Sequence, residues 1–271
     1  MSNDLPASGA HSPFISAEIL AVALASGSVA VVYVAPDASP LPAAAIPGSI
    51  ETALPTHYAE PGDPGLGRLP LPSSEAVRRW TAEAGLSQDT DIVVYDAASG
   101  SAAARAWWVL TWAGLPGVRI LDGGLAAWTA RGGDAALSPG QVTPPELSTI
   151  ETDAIAADLP AYRLFDARTA AAYAGDGKQP SHLPGAVSSP AGIWQDANGR
   201  LLPFAQRQAL ARKLGLLDDD ERPVVAYCGS GVAAAYWIAA VQDLGVKASL
   251  YAGSWSAWSS DPARLAAAAP A

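Results

Sequence analysis

Residues 223–237 read PVVAYCGSGVAAAYW, and residues 91–108 read DIVVYDAASGSAAARAWW. Each opens as a short apolar run, passes through small residues and continues into helix formers. Such runs, bounded by turn residues, suit strands buried on both faces of a parallel sheet. The glycines can take positive φ and let the backbone curl between strand and helix. Outward from these stretches, further landmarks occur in matching order. AAIPGSI (44–50) is answered by SHLPGAV (181–187), and VRILDGGLAAW (118–128) by ASLYAGSWSAW (248–258). Pro47 and Pro184 lie 137 residues apart, Asp96 and Cys228 132, and Gly123 and Gly253 130. Ordered landmarks at nearly constant offset indicate an internal duplication.

Residues 132–151, GGDAALSPGQVTPPELSTIE, have linker composition. They divide the chain into an N-terminal domain, 1–140, and a C-terminal domain, 141–271. Helices are predicted over 73–86, with Ser73 as a cap, and over the matching 203–216. Residues 52–71, rich in Gly and Pro, read as a long loop. The first dozen residues and the alanine-rich tail after Asp261 read as mobile ends. Strands alternating with helices give an α/β fold: two tandem domains, each a mainly parallel sheet flanked by helices on both faces.

The 271 residues carry 26 acidic and 16 basic side chains, a formal charge of −10, which disfavours nucleic acid or an anionic membrane as partner. Half the residues are hydrophobic and mean hydropathy is +0.16, so the chain can bury a core. One cysteine, Cys228, excludes an internal disulfide or a CxxC pair, and three histidines make a histidine-built metal site an unpromising reading. No Lys or Arg precedes Arg68, and the apolar stretch 19–34 is broken by Ser26-Gly27-Ser28. A soluble, cytoplasmic protein is expected.

Cys228 falls at the carboxyl end of its predicted strand, where open α/β sheets place ligands. The loop Gly229-Ser230-Gly231 and the helix opening at Val232 and Ala233 should aim backbone N–H groups at the sulfur, aided by the helix dipole. That is a seat for a thiolate or a persulfide, with Ser230 able to add a hydroxyl. A lone cysteine is commonly just a small buried apolar side chain, but such a residue has no need of a glycine-rich loop after it.

CGSGV after a buried strand, GSWSAW downstream, HLPGAV upstream and a degenerate first copy with LDGGLAAW resemble the tandem-domain sulfurtransferases of the rhodanese family. The resemblance runs from about Ile15 to Ser260. It implies a catalytically silent first domain, which agrees with Asp96 standing where the second domain has Cys228. It also implies a persulfide on Cys228, loaded by a small anionic donor and discharged to a thiol, cyanide or a thioredoxin-like protein, with no metal or organic cofactor. The CGSGV loop is similar to that of 3-mercaptopyruvate sulfurtransferases, whereas thiosulfate-using members usually carry basic residues there.

The chain departs from that pattern elsewhere. Arg168 fits the first position of the family's substrate-gripping arginines, but Ala172 stands at the next, and Lys178 is the only cation in the shortened segment beyond. Val34 and Ala45 occupy the first-domain positions of an Asp and a His proposed to move protons, and Ala233 replaces a threonine. One lysine does not reproduce a bidentate arginine, so thiosulfate stays open beside 3-mercaptopyruvate. Lys178, Arg105 or another residue would have to rebuild the clamp.

Two other functions fit the same residues: a sulfur-carrier or binding module that has lost donor turnover, and a cysteine-dependent phosphatase. The phosphatase needs an arginine six residues after the cysteine, where Ala234 stands. Around the loop, Trp255 could line a cleft between the domains or pack in the core. Asp166 could hold Arg168 through charge-assisted hydrogen bonds. His182 reads as an orienting side chain at a turn, His57 as a remote substitute for the lost histidine, and Trp107, Trp108 and Trp112 as core.

Overall fold

A computed structural model describes residues 12–37, 39–131 and 145–267. The expected boundary at 140 and the first eleven residues lie outside the described residues. The N-terminal half runs β1 (Phe14–Ile15), α1 (Ala17–Ala25), β2 (Val29–Ala35), β3 (Ile50–Ala53), α2 (Leu54–His57) and α3 (Ser74–Glu83). It continues with β4 (Asp91–Tyr95), α4 (Ser101–Trp112), β5 (Val118–Leu121) and α5 (Gly124–Ala130). The C-terminal half runs β6 (Ser148–Thr149), α6 (Thr152–Ala157), β7 (Arg163–Asp166), α7 (Ala170–Ala174), β8 (Val187–Ser188) and α8 (Phe204–Lys213). It ends with β9 (Val224–Tyr227), α9 (Val232–Gln242), β10 (Ala248–Leu250), α10 (Ser254–Trp258) and α11 (Pro262–Ala267).

Each half is one five-stranded sheet with every pairing parallel, in the orders β1-β5-β4-β2-β3 and β6-β10-β9-β7-β8. Element by element the second order repeats the first, as the duplication in the sequence requires. Side chains alternate across the strands: Val32, Val34, Ile92 and Val94 enter one core, while Val31, Tyr33, Val93 and Tyr95 enter another on the opposite face. That is why β2 and β4 read as continuous apolar runs. Helix α3 is amphipathic, buries Val77 and Thr81, and is capped by Ser73, whose Oγ accepts from the Ala76 amide at 3.2 Å.

The two halves meet through α4 and α9. Residues Ala102 to Thr111 of α4 and Ala234 to Val241 of α9 are buried without interruption, so both helices are covered on all sides. Alanines 102, 103, 104, 106, 234, 235, 239 and 240 keep them slim, and one apolar core spans both domains. Trp107 and Trp108 are buried in it as expected, and Trp108 stacks on Trp112 at 5.8 Å.

Two expectations need correction. Residues 52–71 are not a featureless loop: they complete β3, form α2 and make a 3₁₀ turn over Pro64–Leu66 that docks on α10. Gly and Pro here shape turns instead of breaking structure. The tail after Asp261 is helical through Ala267, because the Arg264 guanidinium donates to the Ala257 and Trp258 carbonyls at 2.9 and 3.2 Å. No helix among the described residues is long and apolar enough to cross a membrane.

Across the interface the Leu201 amide donates to Asp122 Oδ1 at 2.7 Å. Burial raises the Asp122 carboxyl to about 6, against the pull of that amide and of Arg200. Between pH 4 and 6 the folded chain therefore holds a proton that the unfolded chain has released, so this group favours folding at low pH and loses that contribution as pH rises through 6. Asp122→Asn keeps an oxygen for Leu201 and removes the charge. Its melting temperature should exceed that of the wild type by a few degrees at pH 7.5, with the gain shrinking toward pH 5; an equal shift at both pH values would remove Asp122 as the cause.

Candidate active site

Cys228 sits at the end of β9 with 3% of its surface exposed. Its backbone is clamped from both sides: its amide donates to Ser254 Oγ at 3.1 Å, and its carbonyl accepts from the Trp255 amide at 2.9 Å. Ser254 Oγ in turn donates to the Tyr251 carbonyl at 2.8 Å. Ser254 is fully buried and, at φ +53°, is the one non-glycine residue with positive φ among the described residues. The first domain has Gly124 at φ +54° in this place, and there the Leu125 amide donates to the Asp96 carbonyl at 2.9 Å. A serine here accepts a backbone conformation costing on the order of 1–2 kcal/mol and gains a bond to the cysteine's own amide.

Beyond Cys228, the loop Gly229-Ser230-Gly231 leads into α9. Gly231 is left-handed at φ +79°, as Gly100 is at φ +76° before α4. A Cβ at Gly231 would come within 2.8 Å of Arg105 Nη1 and 2.9 Å of the Ala252 carbonyl, so this position excludes side chains on two counts.

The first-domain copy shows what such a loop binds. Asp96 Oδ1 accepts from the amides of Ala98 and Gly100 at 2.9 and 3.0 Å, and Oδ2 from those of Ala102 and Ala103 at 3.0 and 3.1 Å. This buried carboxylate fills a cradle of four converging N–H groups at a helix N-terminus. The second loop is one residue shorter, with three residues between Cys228 and α9 against four between Asp96 and α4. Aligned on the left-handed glycines, the amides of Gly231, Ala233 and Ala234 correspond to those of Gly100, Ala102 and Ala103. No protein oxygen among the described residues accepts from these three, and the Ser230 hydroxyl likewise takes no partner. The cysteine side chain is too short to fill the cradle as aspartate does.

Three arginines surround the loop. Arg168 forms a bidentate pair with the buried Asp166 (Nη2 to Oδ2 2.6 Å, Nε to Oδ1 3.0 Å), donates to the Ser181 carbonyl at 2.6 Å and lies 5.1 Å from the Trp255 ring. Burial alone would lower its pKa; the bonds to Asp166 outweigh that, with smaller contributions from Tyr227 and Cys228, and the net shift is upward. Arg105, wholly buried on α4, donates from Nε to the Tyr58 carbonyl at 3.3 Å and from Nη2 to that of Leu69 at 2.9 Å, while Nη1 has no partner among the described residues. Burial lowers this guanidinium to about 10, opposed by the charge of Cys228, so it stays protonated at neutral pH. Arg68 donates its amide to Ser256 Oγ at 3.0 Å, and its Nη2 would lie 2.9 Å from a Cβ at Gly229.

The structure thus brings Cys228, its loop, Arg168 and Trp255 together. It does not bring Lys178, which lies 84% exposed beside Asp176 at 3.8 Å; a charge so far into solvent on a surface turn has no part in the loop's surroundings. Ala172 is exposed on α7 and Val34 is buried core, so neither offers a substitute. His182 has its expected role, with Nδ1 3.0 Å from the Tyr173 carbonyl and its ring stacked on Tyr173. His57 Nδ1 accepts from the Ala53 amide at 3.1 Å and its ring packs on Trp80, which makes it a local brace of α2. Sequence reasoning missed Arg68 and Ser254.

A rhodanese-like domain model matches residues 23–131 and again 151–261. The chain belongs to the rhodanese family. SseB of Mycobacterium tuberculosis, which carries a thiosulfate sulfurtransferase name, is 37% identical over 235 residues, covering 81% of each chain. The 3-mercaptopyruvate sulfurtransferase of Escherichia coli is 32% identical over 210 residues, covering 70% of this chain and 72% of its own. Among solved structures, SseA from Escherichia coli superposes with a TM-score of 0.69 at 30% identity, over 90% of this chain and 99% of that one. The 3-mercaptopyruvate sulfurtransferase of Leishmania major shares the fold at TM-score 0.71 and 22% identity, over 95% of this chain and 78% of its own. With relatives of this name and extent, this rhodanese-family chain is a sulfurtransferase, built as two tandem α/β domains.

The two loops make a direct comparison possible within this rhodanese pair. Asp96→Ala leaves four amides without an acceptor, those of Ala102 and Ala103 buried, and should cost about 2–4 kcal/mol of stability in a denaturant titration. The iodoacetamide reactivity of Cys228, scaled to the folded fraction, should be unchanged; a stability loss below about 0.5 kcal/mol would contradict the cradle assignment.

Proposed function

We propose that the chain moves a sulfane sulfur from a small anionic donor, 3-mercaptopyruvate or thiosulfate, through a persulfide on Cys228 to an external thiol, cyanide or a thioredoxin-like protein. The observation that carries this reading is the paired loops: one cradle holds the Asp96 carboxylate, and its counterpart has a cysteine at its base and amides with no acceptor among the described residues.

The Cys228 thiolate attacks the donor's outer sulfur and forms a new S–S bond. With 3-mercaptopyruvate the C–S bond breaks, its electron pair stays on carbon, and the thiol's proton ends on that carbon, giving pyruvate. With thiosulfate the S–S bond breaks and sulfite leaves. In both cases Cys228 is left as a persulfide whose terminal anionic sulfur extends into the amides of Gly231, Ala233 and Ala234. These are dipoles already in place, so little reorganisation opposes the transfer. Ser254 and Trp255 hold the backbone of Cys228 while its side chain reacts.

The acceptor's nucleophile then takes the terminal sulfur, which leaves Cys228 as thiolate. Cys228 is the only cysteine in the chain, so the acceptor comes from outside. Names of the relatives support both donors, and the CGSGV loop favours 3-mercaptopyruvate.

Single-turnover mass spectrometry tests this reading with each donor in turn. Wild-type protein should gain one sulfur atom, about 32 Da, and lose it on adding cyanide, whereas Cys228→Ser should gain none. Sulfur on the serine variant, or none on wild type from either donor, overturns the mechanism. Loading solely from a protein persulfide would mean a carrier in place of a donor-using enzyme.

A further inference from the structure

The C-terminal domain does not supply the cations that an anionic donor needs. Arg168 is occupied by Asp166 and the Ser181 carbonyl, Ala172 is neutral, and Lys178 stands in solvent. The N-terminal domain brings two guanidinium groups to the same loop. Arg105 comes from α4, buried against α9, and its unpartnered Nη1 faces Gly231. Arg68 comes from the segment after the Pro64–Leu66 turn, which is tied to the C-terminal domain through Ser256 Oγ, and its Nη2 lies against Gly229. Arg68 is exposed and forms no ion pair with a carboxylate among the described residues.

We propose that Arg68 is the donor-recognition residue of this enzyme, gripping the carboxylate or sulfonate of the donor at the mouth of the Cys228 loop, with the Arg105 guanidinium as a fixed positive charge beneath. Recognition of the donor therefore crosses the domain interface, and the catalytically silent half determines which anions reach the cysteine. This rests on the sulfurtransferase reading for the donor's identity, but the anion preference itself does not.

Three features fit Arg68 to the task and not Arg105. An exposed side chain can swing to a ligand without breaking the core, and the guanidinium forks onto a carboxylate or a sulfonate through paired N–H groups. Arg105 is anchored through Nε and Nη2, so it contributes field without moving. Gly229 lacks a Cβ where Arg68 Nη2 would meet one at 2.9 Å, so the glycine leaves room for this guanidinium beside the residue that follows Cys228.

The single cysteine gives a readout independent of sulfur chemistry. Alkylation of Cys228 by anionic iodoacetate and neutral iodoacetamide, followed by intact mass, yields a rate ratio that reports the local preference for an anion. Arg68→Gln should lower the iodoacetate-to-iodoacetamide ratio about 5- to 10-fold with the iodoacetamide rate unchanged, as expected for loss of one charge-assisted contact. Arg68→Lys should recover part of the ratio, and Arg79→Gln, an exposed change of equal charge on α3, should leave it alone. In turnover, Arg68→Gln should raise KM for the donor about tenfold while the cyanide discharge of preloaded persulfide keeps its rate. An unchanged alkylation ratio in Arg68→Gln overturns the proposal. A lowered ratio in a protein that turns over neither donor would instead keep Arg68 as the anion-gripping residue and reject the donor chemistry.

Discussion

The packing of α4 on α9 is the contact on which the rest of the molecule depends. These helices are the equivalent elements of the two halves, and each follows its half's strand-to-loop turn. Their alanine faces let the backbones approach closely, so the helix carrying Arg105 lies against the loop that ends in Gly231. A larger side chain at Ala104 or Ala235 would force the domains apart and draw Arg105 away from the loop. The same docking fixes the cross-domain hydrogen bonds from Gln195 Nε2 to the Ser99 carbonyl at 2.8 Å and from the Leu201 amide to Asp122. The duplication thus yields one working unit, with a nucleophile from one copy and surroundings from both.

The two loops illustrate how one backbone device serves two ends. In the first domain the cradle is satisfied internally: Asp96 answers four amides with a carboxylate that is itself buried. In the second, the shorter loop and shorter side chain leave the equivalent amides without an acceptor among the described residues. Buried amides without partners are costly, and a structure keeps them where something else binds. Ser254 points the same way. Gly124 adopts nearly the same φ without strain, yet the C-terminal copy uses a serine whose hydroxyl bonds the cysteine amide.

Much of this was legible in the sequence. Apolar runs ending in Asp96 and Cys228 fixed both central strands, the ordered landmarks gave the duplication, and the glycines before α4 and α9 marked the left-handed turns. What could not be read depended on long-range packing. Arg68 and Gly229 are 161 positions apart in the chain, and no periodicity or motif links them. The positive φ of Ser254 is invisible because serine carries no signal for it, whereas Gly124 would have announced it. Lys178 is the one cation in the shortened segment where the family pattern places a second arginine, but its side chain faces solvent, which position along the chain does not reveal. The segment 52–71 has the composition of a loop, yet its prolines and glycines shape a 3₁₀ turn docked on α10, a contact that composition alone does not encode.

The central claim is that the second loop holds an anionic sulfur as the first holds a carboxylate. A crystal structure of the sulfur-loaded protein tests it most directly. The terminal sulfur should lie within about 3.2–3.8 Å of the amide nitrogens of Gly231, Ala233 and Ala234, reproducing the pattern around Asp96 with the longer reach of sulfur. A terminal sulfur turned away from these amides, with the N–H groups bound to water, would contradict the account.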